Sequence, residues 1–106
     1  VNSEDLRMLT LTALLLALNT GASLPCSRNP AAVREIVQQL HERASAERTR
    51  LRLTLRQVSA LSAQPCGSNT KRKLAAQKDM LSREILDSGE STAAERVLTR
   101  ALFNQL

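Results

Sequence analysis

The chain has 106 residues, with 15 Lys and Arg against 10 Asp and Glu, one His, 42% apolar and 1% aromatic residues. That length allows one domain burying roughly two-thirds of its unfolded surface. The apolar fraction and the mixed charges exclude a fully disordered chain, and three Gly with three Pro exclude collagen-like and linker-like sequences.

The apolar set is mostly Leu and Ala, which favour helix, and strand formers are scarce. The expected fold is all-α: a small bundle of about four helices built on a long central helix. The formal charge of +5 comes mainly from Arg. Arg suits ion pairing and contact with phosphates or carboxylates, although genome base composition alone gives the same bias. The chain opens on Val1 rather than Met. Residues 1–106 are therefore read as one helical domain, free-standing or excised from a larger protein.

The first predicted helix covers about 4–19, with Ser3 as cap, Glu4 and Asp5 at the positive helix end, and Gly21 as the stop. It has two apolar stripes. Leu6, Leu9, Ala13, Leu16 and Ala17 share one side; Met8, Leu11, Leu15 and Leu18 share the other. Such a helix needs cover on both sides, from the bundle or from a partner. Arg7, the apolar run 8–18 and the small residues Gly21, Ala22 and Ser23 superficially match a secretory leader. The acids ahead of Arg7 count against that. The run is also shorter than the roughly 18 residues of a membrane span, so a buried helix is favoured over both a leader and an anchor.

Pro25 and Cys26 mark a connector, and Asn29-Pro30 reads as a cap followed by proline in the first turn. No Gly or Pro follows until Pro65. The stretch 30–64 is favoured as one straight helix, about 50 Å long at 1.5 Å per residue. Its stripe is Val33, Val37, Leu40, Ala44, Leu51, Leu55 and Val58. The polar patch 41–50 is the weak point, where a turn with Ser45 as cap is the alternative. Residues 65–69 form a loop. A third helix is expected over about 70–87, with Leu74, Leu81 and Ile85 on one stripe and Ser88-Gly89 as its end. Thr92 and Glu95 fit a capping box for a fourth helix reaching about Asn104, with Ala94, Val97, Leu98, Ala101 and Leu102 facing inward. A helix pair cut from a solenoid is a further possibility.

Cys26 and Cys66 sit in loops at the two ends of the stretch 30–64. A straight helix would hold them about 50 Å apart, whereas a disulfide needs Cα atoms within about 7 Å. Free thiols, and hence a reducing compartment such as cytoplasm or nucleus, are favoured. A bridge would require a break near Ser45 and would indicate secretion or a periplasm. Two Cys and one His at these spacings do not make a usual zinc ligand set.

No pattern for catalysis stands out. His41 lies on a charged helix without a nucleophile or an orienting carboxylate beside it. Gly21, Gly67 and Gly89 are isolated, so no phosphate-cradling loop is present. Glu4/Asp5 are explained by capping, and Glu35 and Glu42 by salt bridging on an exposed face. No catalytic residue, cofactor or metal is expected.

The notable polar feature is a sector of the stretch 30–64 holding Arg34, Gln38, His41, Ser45, Arg48, Arg52, Arg56 and Ser59, without an acid. Like charges at Arg48, Arg52 and Arg56 repel at four-residue spacing. Solvation relieves this, and so does an acidic partner surface. Nucleic acid is a third answer, with Lys71, Arg72 and Lys73 as a second basic cluster. Missing aromatics, missing helix-turn-helix spacing and moderate charge weaken it. A membrane-surface helix would need a broader apolar face than this stretch has.

These features predict a non-catalytic protein-interaction or assembly module, a scaffold acting as a homo-oligomer or in a hetero-complex. The expected partner-binding residues are Met8, Leu11, Leu15 and Leu18 on the apolar face and Arg34, Arg48, Arg52 and Arg56 on the basic stripe. A nucleic-acid-binding module and a secreted protein stapled through Cys26 and Cys66 are the alternatives.

Overall fold

A computed structural model describes residues 26–106 of the chain. The predicted helix 4–19, with Met8, Leu11, Leu15 and Leu18, lies outside the described residues. The fold is an all-α bundle of four helices, with no strand among the described residues.

α1 spans Pro30–Arg43. The Asn29 side chain accepts from the Ala32 N–H at 3.2 Å, and Pro30 fills the first turn without losing a hydrogen bond. Val33, Val37 and Leu40 are buried along one face. α1 stops at Ala44, whose backbone is extended. The chain then turns, Arg48 N–H donating to Ser45 C=O at 3.0 Å and Thr49 Oγ1 to Ala46 C=O at 3.2 Å. α2, Thr49–Ser62, runs back and buries Leu51, Thr54, Leu55, Val58 and Ser62. Its buried hydroxyls are satisfied within the helix, Thr54 Oγ1 donating to Arg50 C=O at 2.9 Å and Ser62 Oγ to Ser59 C=O at 2.9 Å.

The stretch 30–64 is therefore a helical hairpin, not one straight helix. The N-cap of α2 is Arg48, with no side-chain cap hydrogen bond, so Ser45 does not cap the second half. The apolar stripe itself is as expected: Val33, Val37, Leu40, Ala44, Leu51, Leu55 and Val58 all enter the core. The expected long central helix is replaced by two antiparallel helices burying the same side chains against each other.

α3, Ser68–Leu81, packs on α2 and buries Leu74 and Leu81. It continues into a single π-helical turn over Ser82–Leu86 that buries Ile85. Ser91 Oγ donates to Ile85 C=O and accepts from Arg96 Nε at 3.1 Å, tying that turn to the loop beyond it. Gly89 has φ +73°, a left-handed conformation that suits glycine at the predicted stop.

α4, Ala93–Gln105, begins at Thr92, whose side chain accepts from the Glu95 N–H at 3.2 Å. It packs on α1 and on the π turn. Its face is rotated from the expected one. Glu95, Thr99 and Leu102 are buried, Leu98 is partly buried against the core, and Val97 is 67% exposed.

All four helices run between two ends. At one, the Cys26 N–H donates to Gln64 C=O at 3.2 Å and Arg28 N–H to Gln105 C=O at 3.0 Å. Cys26 and Cys66 form a disulfide there, with Cα atoms 4.6 Å apart. The expectation of free thiols rested on a straight helix; the turn at 44–48 removes that premise. The other end holds the α1–α2 turn and the start of α4. No helix among the described residues is long and apolar enough to cross a membrane.

Candidate functional site

The hairpin turn redistributes the arginine stripe. Arg48 Nη1 meets Glu95 Oε2 at 2.7 Å, with the carboxylate side chain 6% and the guanidinium side chain 22% exposed. Arg52 Nη2 donates to Ala44 C=O at 2.7 Å. That carbonyl is at the end of α1, where helix carbonyls lack partners and the dipole favours a cation. Arg48 and Arg52 thus hold the fold's own turn together. The sector contains no acid in sequence, but folding brings one in from α4.

Arg34 on α1 and Arg56 on α2 stay exposed, and neither forms an ion pair among the described residues. Arg34 edges a groove of about 350 Å³ between the start of α1 and the end of α2, lined also by Pro30, Ser59, Ser62 and Ala63. Nearer the turn, His41 is half-buried. Burial holds its imidazole below the ordinary pKa, and the Arg52 and Arg56 guanidinium groups across the hairpin add to the depression. A cation is disfavoured at His41 because it would leave water and join two others. Gln38, between Arg34 and His41 on α1, donates to Glu42 at 3.3 Å.

Of the expected partner-binding residues, Arg34 and Arg56 remain available on one face of the hairpin, Arg48 and Arg52 are engaged internally, and the four apolar ones lie outside the described residues. Lys71, Arg72 and Lys73 are exposed on α3. Lys71 and Lys78 edge a separate cleft of about 170 Å³ beside the disulfide, floored by Leu74, Ala75 and Leu106. Among the described residues no three His, Cys, Asp or Glu side chains gather as a metal site.

Sequence reasoning missed Glu95 as a buried ion-pair partner. Its position three residues after Thr92 signals a capping box, and half of that box forms. The carboxylate instead reaches Arg48, 47 residues away in sequence, a contact no local pattern announces. Comparison with known protein families, with curated proteins and with solved structures finds no match to this chain.

Proposed function

We propose that the protein is a non-catalytic binding module that docks an acidic protein surface on the α1–α2 hairpin face. The observation supporting this is the unneutralised cation field of that face. Arg34 and Arg56 are exposed and unpaired among the described residues, and beside them His41 is held below its ordinary pKa first by burial and then by Arg52 and Arg56 of α2. Carboxylates of a partner would relieve this field, with Arg34 and Arg56 offering planar donors suited to bidentate pairing. Such charges act chiefly on encounter rate and specificity. The apolar stripe Met8, Leu11, Leu15 and Leu18 carries no weight in this reading.

The test is calorimetric titration with a glutamate-rich peptide, at low and high salt, of the parent chain and of Arg34→Glu with Arg56→Glu. Expected is salt-sensitive binding that the double reversal weakens by about tenfold or more, equivalent to about 1.4 kcal/mol. Binding unaffected by the reversal sinks the reading. Tighter binding to duplex DNA, lost on neutralising Lys71, Arg72 and Lys73, would instead favour the nucleic-acid alternative.

A second reading, a secreted helical protein, is favoured by one observation: the Cys26–Cys66 bond. It is compatible with the first and concerns where the module works rather than what it holds.

A further inference from the structure

Pro65-Cys66-Gly67 makes a tight turn, Gly67 N–H donating to Pro65 C=O at 2.9 Å, and α3 starts directly after it at Ser68. Helical spacing then decides what the disulfide faces. Lys71, Leu74, Ala75 and Lys78 stand at i, i+3, i+4 and i+7, which is one face of a helix. Together with Cys26, Cys66 and Leu106 they line the cleft of about 170 Å³. Seven residues of helix rise set the two lysine backbones about 10 Å apart, with the apolar pair Leu74 and Ala75 between them. Neither lysine forms an ion pair among the described residues.

The two sulfurs are not equally open. Cys26 is 7% exposed, whereas Cys66 is half-buried. A side chain built at Gly67 would meet nothing within 4 Å, so the space next to Cys66 is clear on that side. Thiol exchange requires a thiolate to reach one sulfur of the bond, and access selects which. Cations beside the bond stabilise the entering thiolate and the departing one alike.

We propose that this cleft is a site of thiol–disulfide exchange for a small anionic thiol, whose carboxylates Lys71 and Lys78 receive. The thiolate attacks Cys66 Sγ and forms a mixed disulfide there. The Cys26–Cys66 bond breaks, its electron pair leaves on Cys26 Sγ, and that sulfur takes a proton from water. One disulfide is consumed and one is formed, so no further oxidant or reductant enters. Cys26 N–H on Gln64 C=O and Arg28 N–H on Gln105 C=O keep the Cys26 thiol close by. Its return to Cys66 Sγ expels the small thiolate and restores the bond. Exchange here is independent of what the hairpin face binds.

The experiment treats the oxidised full chain with glutathione, which carries two carboxylates, with uncharged mercaptoethanol or with cationic cysteamine. Acid then stops the Cys26 thiol from returning, and the digested adducts are weighed. Expected is glutathione on Cys66, forming in proportion to the glutathione added. Lys71→Glu with Lys78→Glu should slow glutathione about tenfold at low salt, leave mercaptoethanol nearly unchanged and speed cysteamine. Comparing each thiol with itself cancels its own nucleophilicity. Added salt should shrink the effect of the reversal on glutathione. Should the reversed chain fail to fold, Lys71→Gln with Lys78→Gln makes half the change in charge and should give the same order at about threefold. No glutathione adduct, an adduct mainly on Cys26, or an equal change for all three thiols overturns the site. So does a rate independent of thiol concentration, which would mean that the bond is reached only by unfolding.

Discussion

The two ends of the bundle are held by different physics. At the disulfide end a covalent bond joins Cys26 to Cys66, and backbone hydrogen bonds tie residues 26 and 28 to the ends of α2 and α4. At the turn end the fastenings are ionic and polar: Arg48 with Glu95, Arg52 on the Ala44 carbonyl, and Arg50 with Glu84 at 3.4 Å. The covalent tie acts largely on the unfolded chain, whose entropy it lowers. The ionic ties act on the folded state and depend on how far water is excluded from them. The contrast explains how two arginines that look like a binding stripe in sequence come to serve the fold.

The largest expected effect breaks the covalent end. Replacing both cysteines with Ser should cost about 4 kcal/mol by the loop-closure relation, seen as a fall in Tm of roughly 15–30 °C for a domain of this size. Hydrogen exchange should then show the amides of Cys26 and Arg28 losing protection before those of the turn end. A fall of only a few degrees would show that packing and the hydrogen bonds suffice there.

At the other end, Glu95→Gln removes the charge facing Arg48. Breaking a fully buried pair costs about 3–5 kcal/mol; with the Arg48 side chain 22% exposed, about 2–3 kcal/mol is expected in urea unfolding. Restoring most of this loss by also changing Arg48 to Met would confirm that the cost is a stranded charge. Each end also has a capped helix, α1 at Asn29 and α4 at Thr92. Asn29→Ala and Thr92→Ala should each cost about 1 kcal/mol, comparably at the two ends.

The smallest mutational effect is Arg50→Ala. Its side chain is 75% exposed in the pair with Glu84, and exposed pairs contribute about 0–1 kcal/mol. A loss as large as that of Glu95→Gln would erase the distinction between the two ion pairs. His41 adds a pH term of definite sign. Its folded pKa lies below the ordinary 6.5, so the unfolded chain binds the proton more readily. The stability contribution is fully present above 6.5 and is lost as pH falls through the folded value. Unfolding midpoints across that window should decline with acid in the parent, and less so in His41→Gln.

Much of this was legible in residues taken singly. The stripe from Val33 to Val58 names seven members of the core, and Asn29-Pro30, Ser88-Gly89 and Thr92 mark helix limits close to the observed ones. The break at 44–48 was hidden because Ala44 and Leu51 are seven residues apart, which is two helical turns. That spacing keeps one face in register along a straight helix and equally serves two short helices facing each other. No glycine or proline marks the turn; ordinary residues make it, with Arg52 satisfying the carbonyl of Ala44. The α4 face was misjudged because Val97 is apolar and Glu95 is charged. Apolarity ranks residues for burial only when no counter-charge awaits inside, and Arg48 reverses the order.

The sequence by itself determined the class, the apolar stripe of 30–64 and most helix limits among the described residues, because propensity, capping and periodicity act over a few residues. Only the tertiary structure decided that 30–64 doubles back, that Cys26 reaches Cys66, that Arg48 and Arg52 serve the fold, and that Arg34 and Arg56 share the open face. Those outcomes depend on contacts between residues as much as 47 positions apart. Their energies come from excluding water between partners that no local pattern brings together.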